Sequence, residues 1–172
     1  MKTFYKFLYA ILFLATVNSV TFSAKILPVF KYKQCDSPWG QLQLGNCPGY
    51  SICNWGCALA CMSMLLKSNG TDADPLKVNS FMNSHNYWSG GCDMDWIKVC
   101  WYTGSTMSWN SSPAYSLSTV KNQIDANNPV VVKVLLSGNQ DHFIVVKGYN
   151  NNGTTESDFI VLDPLETNER TL

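Results

Sequence analysis

Asn54-Trp55-Gly56-Cys57-Ala58-Leu59-Ala60-Cys61-Met62-Ser63-Met64-Leu65-Leu66 sets a cysteine directly behind a glycine, at the mouth of a strongly apolar helix. Ala58, Cys61, Met62, Leu65 and Leu66 fall on one face, which is the stripe a core-facing helix needs. Asn69-Gly70 ends the run, so a helix is expected over about residues 57–67. The methionines and leucines read as core packing. Cys57 reads differently, because the positive end of a helix macrodipole favours thiolate over thiol and makes a sulfur there a nucleophile.

Upstream of this helix, residues 31–52 are rich in Gly, Pro and Cys and read as loop. Downstream, Asp74-Pro75 opens a second helix running to about Ser84, with proline at the first helical position. Asp93 is the expected cap of a third, running to about Tyr102. Ser116 or Ser118 starts a fourth, which ends near Asn127 because Asn128-Pro129 stops it. Beyond Pro129 the pattern becomes β-branched. Strands are expected over 130–136, 142–149 and 159–163. Helices first and antiparallel strands second define an α+β domain, N-terminal helices packed on a C-terminal antiparallel sheet.

The last two strands flank Asn152-Gly153, a strong two-residue hairpin signal. With those residues at the tip, Ile144 opposes Val161, Val146 opposes Phe159, and His142 opposes Asp163. Directly opposed residues carry Cβ atoms about 5 Å apart. The register that pairs the apolar residues therefore brings an imidazole beside a carboxylate. A one-residue slip would separate them.

Cysteine, histidine and aspartate in this order suit a thiol hydrolase. Its sulfur attacks a carbonyl, an imidazole takes and returns the proton, a third group fixes the imidazole, and N–H donors stabilise the oxyanion. Cys57 fits the first role, His142 the second and Asp163 the third. The helix-start N–H groups point where an oxyanion would develop. Taken singly, each has a plainer reading: a disulfide cysteine, a structural histidine, an Asp-Pro turn. His85, the other histidine, lies among polar residues near a helix end and reads as surface.

Composition narrows the setting. Lys2 and Lys6, the apolar run from Phe7 to Val17 and the small residues after it read as a secretory signal over residues 1–23, with cleavage between about 19 and 24. The run is too short to span a bilayer. Residues 25–172 then form one domain, with no membrane association after cleavage and a secreted or lumenal destination. Acidic and basic residues balance at 12 each, which points away from nucleic acid as a partner. Seven cysteines in a secreted chain imply disulfides. The odd count fits three bridges and one free thiol at Cys57. Cys92 and Cys100, on one expected helix, would lie ~12 Å apart, too far for a bridge, which needs Cα atoms within about 7 Å. Cys35 with Cys47 is the expected short loop closure. The spacings contain no Cys-x-x-Cys pair and favour disulfides over a metal site. Sequons at Asn69, Asn110 and Asn152 all fall in expected loops, consistent with a glycoprotein.

Several stretches together resemble a known family. These are Tyr32-Lys33-Gln34-Cys35-Asp36-Ser37-Pro38-Trp39-Gly40; Gly56-Cys57-Ala58-Leu59 with Met62 to Leu66; Asp74-Pro75 to Asn79; Asn128-Pro129-Val130-Val131-Val132; His142-Phe143-Ile144-Val145-Val146-Lys147-Gly148; and Asp163-Pro164. From about Val29 onward the chain resembles the peptidase domains that cleave double-glycine leaders from bacteriocins, and more closely their stand-alone "peptidase C-thirty-nine-like" relatives among the papain-like cysteine peptidases. The resemblance implies a papain-like fold, Cys57 as nucleophile, His142 as general base and acid, Asp163 as orienting carboxylate, and Gln34 as side-chain donor of the oxyanion hole. Without it Gln34 reads as an ordinary loop residue. Cys35 and Cys61 depart from the family pattern.

The expected function is a secreted cysteine peptidase acting on a peptide or protein substrate through a Cys-His-Asp triad. Its mechanism needs no cofactor. Two alternatives stay open: a catalytically inactive, disulfide-stabilised binding or structural domain of the same fold, and a cell-wall amidase or toxin. Oligomeric state and cleavage specificity are not legible in the sequence.

Overall fold

The structure, a computed structural model, describes residues 23–90, 92–109 and 114–172. The expected signal segment up to residue 22 and the Asn110 sequon lie outside the described residues.

Strand β1 (Lys25–Ile26) leads into an irregular segment, then helices α1 (Ile52–Trp55), α2 (Cys57–Ser68) and α3 (Pro75–Ser84). Each start is set by a local device. Ser51 caps α1 by accepting from the Asn54 N–H. Gly56 forms the joint between α1 and α2. A Cβ there would sit 2.5 Å from the Ile52 carbonyl oxygen and 2.7 Å from its Cγ2, so only glycine lets α2 begin where it does. Asp74 caps α3 from the Lys77 N–H at 2.8 Å, with Pro75 in the first turn.

The expected helix from Asp93 is much shorter. Asp93–Met94 is instead strand β3, paired with β2 (Trp88–Ser89), and α4 covers only Trp96–Val99. The cap is Asp95, whose carboxylate accepts from the N–H groups of Ile97 and Lys98. Helix α5 (Leu117–Asp125) starts behind Ser116, as one of the two expected caps.

Strands β4 (Val130–Leu135), β5 (Asp141–Tyr149), β6 (Phe159–Leu162) and β7 (Arg170–Thr171) complete the sheet with β1. All pairings are antiparallel. Strand β5 is central, with β4 and β1 sharing one edge and β6 on the other, and β7 adds to β6. The sheet is covered on both faces. On one side Leu59, Leu66, Val78, Met82 and Val99 pack with Val145 and Leu162. On the other, Val120 and Ile124 of α5 pack with Val132, Ile144, Val146 and Val161. No described helix is long and apolar enough to cross a membrane.

The expected hairpin register is wrong by two residues. Val146 pairs with Val161 and Val145 with Leu162, and beyond a bulge at Lys147 Tyr149 pairs with Phe159. The tip is no two-residue turn. Residues 150–158 form a longer loop in which Asn151, Asn152 and Gly153 all take positive φ. The Asp158 carboxylate gathers the N–H groups of Thr154 and Thr155, at 2.8 and 2.9 Å. A two-residue displacement preserves the face on which each side chain stands. His142 and Asp163 therefore still share a face, meeting diagonally and not directly across.

The disulfides also differ from expectation. Cys35 is bonded to Cys53 and Cys47 to Cys92, leaving Cys57, Cys61 and Cys100 as free thiols. The count is two bridges, not three, and Cys35 does not pair with Cys47. Folding back of residues 35–53 decides this. The N–H groups of Ile52 and Cys53 donate to Leu42 and Gly40 carbonyls, at 2.9 and 2.8 Å, and carry Cys53 to Cys35. Cys92 and Cys100 are unpaired with each other, as expected. Cys61 and Cys100 each donate a thiol proton to a backbone carbonyl, of Phe143 and Trp96, at 3.3 Å.

Candidate active site

Cys57 occupies the first position of α2, behind Gly56. The first-turn N–H groups of a helix have no intrahelical acceptor, so its own N–H is available to a ligand oxygen. His142, second residue of β5, is buried at 2% exposure, and the Cys57 side chain lies near enough to help raise its imidazole. On its other side, His142 Nε2 donates to Asp163 Oδ1 at 2.8 Å. That leaves Nδ1 for the sulfur. The structure thus bonds His142 to Asp163 and sets both close to Cys57.

Asp163 follows β6 and is as buried as His142. Its Oδ1 also accepts the Leu165 N–H at 2.9 Å, and its Oδ2 accepts from Arg170 Nη2 at 2.6 Å. Burial pushes the Asp163 carboxyl up, but these donors outweigh it and hold the group below the ordinary carboxylate range. Burial likewise pulls His142 down. The hydrogen bond to Asp163 is the largest opposing contribution; with the nearby Cys57 side chain and the Asp163 charge it overcomes this and raises the imidazole to about 9. At neutral pH the imidazole is therefore charged, flanked by sulfur and carboxylate.

Gln34 is brought to the same place. Its N–H donates to the Pro164 carbonyl at 2.9 Å, next to Asp163. Its Nε2 donates to the Cys53 carbonyl, four residues before Cys57. The neighbouring Cys35–Cys53 bridge ties the same two segments covalently. Gln34 is 2% exposed; its Oε1, an acceptor, is buried without a hydrogen-bond partner, and its Nε2 keeps one N–H beyond the one given to Cys53. The four residues expected to form the site are therefore neighbours. His85 is exposed and stacks with Phe81 and Tyr87, away from them.

Cys61, one turn along α2, is fully buried. Burial, reinforced by Cys57 and Asp163, pushes its thiol far above the ordinary range. It is a packed, protonated side chain. A cavity of about 1000 Å³ lies between α2, α5 and β4 and is lined by none of Gln34, Cys57, His142 and Asp163. No described group of side chains has the arrangement of a metal site.

Sequence reasoning missed Arg170 and the Cys35–Cys53 bridge. One sign of Arg170 was present: it is the only arginine among the 12 basic residues.

The chain belongs to the Peptidase_C39 like family, whose family model matches residues 27–172. Comparison with the curated proteins gives no match, and neither does comparison with the solved structures.

Proposed function

We propose that this protein is a secreted cysteine peptidase in which Cys57 is the nucleophile, His142 the general base and acid, and Asp163 the orienting carboxylate. One observation carries the reading: a buried imidazole bonded to a buried carboxylate, close to the side chain of a helix-start cysteine. Burying such a polar set is costly, and a merely structural core would be served better by apolar residues.

The chemistry follows from the placement. The Cys57 sulfur attacks the carbonyl carbon of the scissile amide, forming a C–S bond as the carbonyl π-electrons move to oxygen. The Cys57 N–H and the Gln34 side-chain amide are the donors assigned to that oxyanion. The His142 imidazolium then gives its proton to the amine nitrogen as the C–N bond breaks. Neutral His142 takes a proton from water, which attacks the thioester and releases the acid and the Cys57 thiolate. The substrate is a peptide or protein, in keeping with the family. Secretion rests on the N-terminal residues alone. Glycosylation at Asn69 or Asn152 would need side chains now bonded to Thr106 and the Ser23 N–H.

The test is thiol mapping joined to hydrolysis, on the chain beginning at Lys25. Iodoacetamide under native conditions should label Cys57 alone, because Cys61 and Cys100 are buried with raised thiols. Labelling should abolish cleavage of a peptide library, as should Cys57→Ser and His142→Ala. Cleavage that survives Cys57→Ser, or its absence from the unlabelled wild type across the library, would overturn the reading.

A further inference from the structure

The segment after Asp163 is strapped to the beginning of the domain. Lys31 Nζ donates to the carbonyls of Thr167 and Asn168 at 3.0 and 3.2 Å, and Lys33 Nζ to Thr167 Oγ1 at 3.3 Å. Lys147 pairs with Glu169. The strap ends in β7, where Arg170 pairs with Val161 of β6. This return path brings the guanidinium back onto the Asp163 carboxylate seven residues earlier.

Asp163 Oδ1 already serves two donors, His142 Nε2 and the Leu165 N–H. Its Oδ2 is held by Arg170 Nη2. A carboxylate with one oxygen unpaired in a buried site would carry a desolvation penalty and could rotate about its terminal torsion, which is soft. Rotation would swap the oxygen facing the imidazole. A guanidinium is planar, always charged and directional, where an ammonium is a point charge on a flexible stem. The chain uses lysine at every other basic position and arginine only here.

We propose that Arg170 is a positioning residue: it locks the Asp163 carboxylate in the orientation that presents Oδ1 to His142, and so acts on the imidazole through Asp163. The inference rests on the peptidase reading of Cys57, His142 and Asp163. Arg170 is 45% exposed while Asp163 is 3% exposed, so truncating the arginine opens the carboxylate's second oxygen to a small cation from solvent.

The experiment compares wild type, Arg170→Ala and Arg170→Lys for steady-state hydrolysis, and follows the low-field His142 imidazole N–H resonance by NMR. Arg170→Ala should lower kcat by about 10- to 100-fold with KM nearly unchanged, because a misplaced catalytic group costs rate and not binding. The resonance should broaden or move upfield. Guanidinium ion at non-denaturing concentration should restore both, and Arg170→Lys should recover only part. A merely structural arginine would lower the melting temperature while leaving kcat per folded molecule and the resonance as in wild type, and that result overturns the proposal. If Arg170→Ala does not fold, Arg170→Lys decides: reduced kcat with a displaced resonance supports the proposal, and wild-type values for both refute it. If the wild type cleaves no peptide, the peptidase reading fails. The resonance of the variants then judges the Arg170–Asp163–His142 coupling by itself.

Discussion

Replacing Asp163 by asparagine preserves shape and removes charge, which isolates what the carboxylate does. The rise of His142 from an ordinary 6.5 to about 9 amounts to about 3 kcal/mol in favour of the imidazolium. Burial opposes that rise, and the bond to Asp163 is the largest contribution to it. In the Asp163→Asn variant the burial cost remains and only Cys57 offsets it, so His142 should titrate at or below its ordinary value. Geometry adds a second loss. If the new amide's oxygen faces His142 and the Leu165 N–H, its NH2 meets the Arg170 guanidinium, donor against donor. If the amide flips, its NH2 meets the Leu165 N–H and forces Nε2 to accept, so the ring proton moves to the nitrogen facing the sulfur. That tautomer cannot take a proton from Cys57. Loss of the orienting carboxylate in this way should lower kcat by about 10³–10⁴. The assay is kcat/KM for a cleaved peptide across about pH 5–10 with a parallel His142 NMR titration, each setting the range over which the imidazolium survives. The alkaline limb should fall from about 9 to about 6.5 or lower. A limb still near 9, or a kcat within a few-fold of wild type, would refute the reasoning.

Three further outcomes are expected. Gln34→Ala should reduce kcat by about 10²–10³ with a smaller change in KM, as loss of an oxyanion donor does; a lowered melting temperature with unchanged kcat would instead make Gln34 a loop tether to Cys53. Gly56→Ala should destabilise by about 1–3 kcal/mol, measured by denaturant unfolding, because the new methyl meets the Ile52 carbonyl at 2.5 Å and the α1–α2 joint must shift. His142 has a higher pKa folded than unfolded, so its pairing stabilises fully below about 6.5 and loses that contribution as pH rises to about 9. The melting temperature should decline over that window in wild type, and the decline should vanish in His142→Ala.

Much of the architecture is legible in the sequence because its causes are local. Helix α2 is expected over 57–67 and spans Cys57–Ser68, since an apolar stripe, a glycine start and Asn69-Gly70 all lie within a few residues. The Asp74-Pro75 start of α3 reads as it stands. The third expected helix is cut short because two aspartates, Asp93 and Asp95, could each cap, and pairing with β2 claims the first. The central strands are visible in the β-branched runs, but β1 and β7 are not. Two-residue strands carry no periodicity and exist only by pairing with neighbours already in place.

The same division runs through the candidate site. By itself the sequence determined its raw materials: a thiol at a helix start, a histidine at a strand head, an Asp-Pro after the next strand, and alternation that keeps His142 and Asp163 on one face. Tertiary structure decided the register, because nine loop residues and a bulge set the true pairing, and a displacement by an even number of residues spared the contact. It also decided that Cys53 meets Cys35, and that Arg170 returns to Asp163. These depend on the path of whole segments through space. Side-chain preferences act over a few residues, whereas a disulfide partner or a buried counter-ion is chosen only once distant segments have packed.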